Sequence, residues 1–201
     1  MALRQDRGTR RPRADRAAGR EARGVRRAMT DLSPAAIDAL AQRIAALDAE
    51  RAVRATITRY MALCDVPENA GDGPSLAALF TPDAVWEGIG PQYAKKFGRL
   101  EGTAAIVAML GRYLPPDPHF SANLHFLTSE SIEVASDLAS ARGRWIMLQA
   151  SRYADGAAEL IAARLTIDFA PAANGAAWPI RHFRTERVLD GPWPLAAAPR
   201  S

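Results

Sequence analysis

At 201 residues, 48% hydrophobic and 24% charged, the chain has the make-up of an ordinary globular domain that can bury a core, and no apolar run reaches membrane-spanning length. Its single cysteine, Cys64, excludes an internal disulfide and any multi-cysteine metal site, and makes an intracellular, cytoplasmic protein the expectation. The net charge of +4 is uneven: residues 1–30 hold ten arginines against Asp6, Asp15 and Glu21, a charge of +7, which leaves −3 for residues 31–201.

Taken in order, residues 1–32 read as a disordered arginine-rich arm, because arginine, glycine and alanine recur there without an apolar period. Such an arm could meet nucleic acid or an anionic surface. Its acids suit a transit segment poorly, and it has no apolar region like that of a secretory signal. Alternatively, Met29 is the true start, since MTDLSPAAIDAL has the form of a natural beginning. Nucleic acid is otherwise not an expected partner, and neither is a membrane.

Ser33 and Pro34 supply a cap and a first-turn proline for a helix marked by Ile37, Leu40, Ile44 and Leu47. It runs into, or breaks just before, a second stretch, ERAVRATITRYMALCD. There Val53, Ile57, Met61 and Cys64 form one helical stripe. Pro67 should stop the helix near Asp65, so that this carboxylate can turn toward a cavity. Residues 66–74 read as loop and Ser75–Phe80 as a short helix. Ala84–Glu87 is a brief strand, Gly88–Phe97 a punctuated loop, and Thr103–Leu114 a helix with Ile106, Met109 and Leu110 inward.

From His119 the period becomes two. Strands are predicted at His119–Val134, Ser140–Tyr153, Glu159–Phe169 and Ala177–Leu189, with turns at Ser136-Asp137, Asp155-Gly156 and Asn174-Gly175. Helices followed by a four-strand antiparallel meander indicate an α+β fold, a curved sheet with helices across one face. The domain is expected over residues 33–190, with an irregular tail at 191–201.

The sequence contains no phosphate loop, no G-x-S-x-G and no H-E-x-x-H, and His119, His125 and His182 lie at no recognisable metal spacing. No metal or cofactor is therefore expected. His125 lies in the mostly apolar run Leu124–Leu127, where its ring nitrogens need a partner. A histidine there is by itself most often a satisfied core residue, and Tyr60 by itself most often packing. A carboxylate such as Asp65 accepting the ring N–H would instead fix the tautomer and raise basicity, as general-base catalysis requires. Tyr60 and Asp65 lie about 140° apart on an ideal helix, so they share a pocket only if Asp65 sits at or beyond the last turn.

The segments RYMALCD, LFTPDAVWEG, LEGTAAIVAML, LHFLTSESIEV and ARGRWIML resemble, in order and spacing, the SnoaL-like branch of the nuclear transport factor 2-like superfamily, over about residues 35–190. The resemblance implies a cone-shaped α+β barrel around a deep apolar pocket. Within that superfamily the chain looks most like cofactor-free lyases: bile acid 7α-dehydratase, scytalone dehydratase and hexachlorocyclohexane dehydrochlorinase. These pair an aspartate ending the first core helix with a histidine opening a central strand, positions that match Asp65 and His125. The bile acid enzyme's tyrosine matches Tyr60, while its acidic strand residue falls near neutral Gln149 and its late arginine near Arg187. Scytalone dehydratase departs further, since its second histidine falls at Ala150 and its tyrosine beside the aspartate at Cys64.

The resemblance implies elimination from a small hydrophobic, aromatic, hydroxylated substrate. His125 oriented by Asp65 would be the base and Tyr60 the hydrogen-bond donor, with Gln149 and Arg187 on polar groups. Trp86, Trp145 and Met147 are candidate walls, or else core. Lys96, with Lys95, would stand at the pocket mouth or simply in solvent, and His119 and His182 are peripheral. Cleavage of a C–C bond with formaldehyde release would suit the same pocket. The alternatives are an isomerase or cyclase, or a non-catalytic ligand-binding module. Family resemblance also implies a homo-oligomer, trimer first and dimer second, with Arg164, Thr166 and Asp168 on a polar face.

Overall fold

The structure is a computed structural model that describes residues 33–116, 119–173 and 175–193. The predicted arm, the alternative start at Met29, Asn174 of the last turn and most of the predicted tail lie outside the described residues. Two compact units are present, Met1–Ile44 and Ala45–Ser201. In the first, the described residues form the opening turns of helix α1 (Pro34–Cys64), entered through Ser33, whose Oγ accepts the Ala36 N–H at 3.3 Å. The two predicted helical stretches are thus one continuous helix. Ile37, Leu40, Ile44 and Leu47 are exposed.

In the second unit α1 continues from Ala45 and buries Ala49, Val53, Ile57, Tyr60 and Met61 in the core. Val53 and Ile57 are fully buried, each contributing about 1.5–3 kcal/mol relative to an exposed side chain. A single 3₁₀ turn, Leu76–Leu79, stands where a short helix is predicted. Strand β1 (Phe80–Ile89) is longer than expected. Helix α2 (Gly90–Lys96) replaces the predicted loop, and strand β2 (Arg99–Glu101) precedes helix α3 (Thr103–Leu110). The meander then follows close to its predicted bounds: β3 (Phe120–Val134), β4 (Ala141–Tyr153), β5 (Ala158–Phe169) and β6 (Ile180–Pro192).

The sheet corrects two expectations. Its order is β2-β1-β6-β5-β4-β3, and β1 runs parallel to β6, so it is mixed rather than antiparallel. It is also open. Closure into the expected cone-shaped barrel would need β2 to pair with β3, but these are the two free edges. The sheet is not strongly curled. The physical reason is that β2 is three residues long and offers too short a ladder to close a ring. No described helix is long and apolar enough to cross a membrane.

Candidate active site

The site is built at the exit of α1. Cys64 is the last helical residue, and Val66 is already extended, exchanging both backbone hydrogen bonds with Asn123 of β3 at 2.8 Å each. Pro67 biases Val66 toward that conformation, so the local sequence sets the exit where this bridge needs it. Asp65, between helix and bridge, is 7% exposed. Its Oδ1 accepts the His125 backbone N–H at 3.0 Å and the ring Nδ1–H at 2.9 Å. With Asp65 as acceptor, Nδ1 carries the proton of the neutral ring and Nε2 holds the basic lone pair.

Strand register then sets the neighbours. His125 lies opposite Gln149, and Asn123 opposite Ser151. Side chains two apart on a strand share a face, so the four make one polar patch. Gln149 Nε2 donates to Asn123 Oδ1 at 2.9 Å and to Ser151 Oγ at 3.0 Å, and Ser151 donates to the same Asn123 oxygen at 2.8 Å. This turns the Asn123 amide nitrogen toward His125 Nε2, at 3.5 Å. Asn123 and Ser151 were not singled out from the sequence. The signal was the two-residue step back from His125 and forward from Gln149.

A cavity of about 130 Å³ opens beside this patch, lined by Tyr60, Trp86, His125, Met147, Gln149 and Arg187 among others. Tyr60 is 4% exposed, and its hydroxyl oxygen accepts the Trp86 indole N–H at 3.2 Å. Burial, then the Cys64 thiol beside it, drives the Tyr60 phenol well above its usual range, so it stays protonated as a donor. Burial also pushes the Cys64 thiol up to about 12. Trp86 stacks on Phe183 at 5.5 Å between centroids, and Tyr60 lies 5.0 Å from the same ring, forming an aromatic wall.

Lys96 lines the cavity from the end of α2, with Nζ 5.2 Å from the Phe97 ring centroid. Trp145 does not line it. Its ring is buried against Phe169, and its N–H donates to Glu130 at 3.1 Å. His119, expected to be peripheral, does line the cavity, whereas His182 does not and is bonded to Glu87 and Arg184. At another part of the wall Glu159 joins Tyr153 and Arg187. No cluster able to hold a metal ion occurs among the described residues.

The fold recurs in solved structures. Hexachlorocyclohexane dehydrochlorinase LinA type 2 superposes with a TM-score of 0.62 at 17% identity, covering 78% of this chain and 98% of that one. The LinA-type3 enzyme of Novosphingobium barchaimii gives 0.60 at 16% identity, over 78% and 96%. An NTF2-like protein with a cystatin-like fold from Novosphingobium aromaticivorans gives 0.56 at 20% identity, over 83% and 93%. At such identities these likenesses establish the fold. No curated protein matches the chain. The SnoaL-like domain profile, however, matches residues 45–184, well over half of the sequence and including Asp65, His125, Tyr60, Asn123, Gln149 and Ser151, and the chain belongs to that SnoaL-like family.

Proposed function

We propose that the protein is a cofactor-independent lyase, eliminating water or a comparable leaving group from a small, hydrophobic, hydroxylated ring compound. One observation carries this reading: the 2.9 Å bond from His125 Nδ1 to Asp65, with the ring at the wall of a mostly apolar cavity. In the reaction, Nε2 takes a proton from the carbon next to the one bearing the leaving group. The released pair forms the C=C bond as the C–O bond breaks. Asp65 stabilises the imidazolium, and the Tyr60 hydroxyl donates to the departing oxygen, which takes its proton from His125 and leaves as water. General-base action contributes about 10²–10⁴-fold, and a desolvated donor such as Tyr60 about 10²–10³-fold.

The remaining lining residues take supporting roles. Gln149 spends its amide N–H groups on Asn123 and Ser151, which leaves its carbonyl to accept from a substrate hydroxyl. The cavity volume is close to that of an engineered site of about 150 Å³ that holds benzene, which favours a single ring over a polycycle. LinA, by its name, removes hydrogen chloride from a chlorinated single-ring compound.

The test is a screen of single-ring alcohols and halides, reading the absorbance of a new conjugated alkene and released halide. Turnover by the wild type and its loss in His125→Ala, with an unchanged circular dichroism spectrum, is the expected outcome. Undiminished turnover by His125→Ala overturns the reading. So does a product with the same composition as its substrate, which would make the protein an isomerase.

A further inference from the structure

Away from the dyad, the cavity wall carries a second set of charged groups that the elimination does not use. Glu159 Oε2 accepts the Tyr153 hydroxyl at 2.5 Å, and its Oε1 is paired with Arg187 Nη2. All three side chains line the cavity. Arg187 Nε lies 3.3 Å from Asp190 Oδ1, but without hydrogen-bonding geometry, and it is buried with no acceptor. The Arg187 side chain is 14% exposed and that of Glu159 22%, so neither is simply solvated.

The charge here is decisive. The guanidinium is paired with Glu159, which lines the cavity with it, while Asp190 is exposed and lies outside the lining, so this part of the wall carries no net positive charge even though an arginine lines it. A carboxylate accepts at about four lone-pair positions, and Glu159 has used two. The wall thus offers a free acceptor in Glu159, to which a hydroxyl group can donate, whereas the buried Arg187 Nε is closed off from the cavity space. A carboxylate ligand has no hydrogen to give Glu159, and it would be repelled by that carboxylate. Lys96, the other cation at the cavity, is exposed and holds its charge in solvent, where it selects weakly.

We infer that Glu159, Arg187 and Tyr153 form a hydroxyl-reading subsite that selects neutral phenols or alcohols and rejects carboxylates. Glu159 is the specificity-determining residue because it neutralises Arg187. This rests on the cavity being the substrate pocket proposed above, and it names the substrate class as uncharged.

The test is equilibrium binding to the full chain, which needs no turnover. 4-Ethylphenol, ethylbenzene and 4-ethylbenzoate are titrated at neutral pH by ligand-observed NMR. The wild type should hold 4-ethylphenol at least about tenfold more tightly than either analogue, as expected for a hydrogen bond to a charged group. Glu159→Gln frees Arg187 and should move the phenol-to-benzoate ratio at least about tenfold toward benzoate, whereas Glu159→Asp should keep the exclusion. Equal wild-type affinity for phenol and benzoate overturns the inference, as does a ratio unmoved by Glu159→Gln. The wild-type comparison decides alone if Glu159→Gln does not fold. His125→Ala should leave every ratio as in the wild type, so loss of the elimination reading and loss of this subsite give different results.

Discussion

Asp65 does two jobs with one oxygen, holding the His125 backbone and the His125 ring. Asp65→Asn keeps one oxygen that can accept both of these bonds but removes the charge that stabilises an imidazolium. Turnover should fall by about 10²–10⁴-fold with KM nearly unchanged and the circular dichroism spectrum retained; a drop carried by KM alone would make Asp65 a binding residue. Tyr60→Phe removes the donor and leaves the Trp86 N–H without its acceptor, so kcat should fall about 10²-fold. A kcat within about twofold of wild type would mean the tyrosine is packing. Asp65 and His125 were legible in the sequence because each breaks a local pattern, a carboxylate just before a helix-stopping proline and a histidine in an apolar run, whereas Tyr60 was reached as a donor only through the family resemblance. Asn123 and Ser151 were not, since a polar residue on a strand reads as solvent-facing until its cross-strand register is known. Trp145 shows the converse failure, because a tryptophan has the same signature in a cavity wall and in a core.

At the scale of elements, the four-strand meander was visible because each hairpin pairs neighbours, so alternation and turn residues report it locally. The β1–β6 ladder joins residues as distant as Val85 and His182, and nothing near β1 announces its partner. That one pairing turns an antiparallel sheet into a mixed one, and the unpaired edges beyond it leave the expected barrel open. Helix α2 was read as loop because Gly88, Gly90 and Pro91 look like punctuation. In fact Gly90 takes a positive φ of 74° and Pro91 occupies the first turn, where a missing N–H costs nothing. Strand β4 provides a test of how tightly the elements fit. A Cβ on Gly143 would lie 2.0 Å from the Trp145 ring, so Gly143→Ala must displace that ring from Phe169 and Glu130. The cost should be about 1–3 kcal/mol in urea denaturation. Gly111→Ala meets nothing within 4 Å at an ordinary helical φ of −58°, and should be neutral or stabilising by up to about 1 kcal/mol. Equal effects of the two would mean that β4 is loosely packed.

Across the whole sheet, the face turned away from the cavity carries a chain of charges spanning five strands. Arg142 donates to Asp168 at 2.6 Å, Arg184 donates to Asp168 and to His182 Nδ1 at 2.8 Å each, and His182 Nε2 meets Glu87 at 3.0 Å. Arg99 lies 3.6 Å from the same glutamate. His182 can accept from Arg184 only while Nδ1 is unprotonated, so Nε2–H donates to Glu87. Burial first, then the nearby Arg184 and Arg99, outweigh Glu87 and lower the His182 pKa below 6.5. Burial opposes ionisation of Asp168, but the bonds from Arg142 and Arg184 prevail and hold it below 3.8. In both cases the unfolded chain binds protons that the folded one refuses, so stability rises with pH through each window. The His182 contribution is complete above 6.5 and is lost as pH falls through the lower folded value. The Asp168 contribution is complete above 3.8 and is lost below it. Urea denaturation between about pH 7.5 and 5 should therefore show falling stability, and His182→Gln, which can donate to Glu87 and accept from Arg184 without titrating, should flatten that slope. A slope unchanged by His182→Gln would place the acid sensitivity outside this face of the sheet.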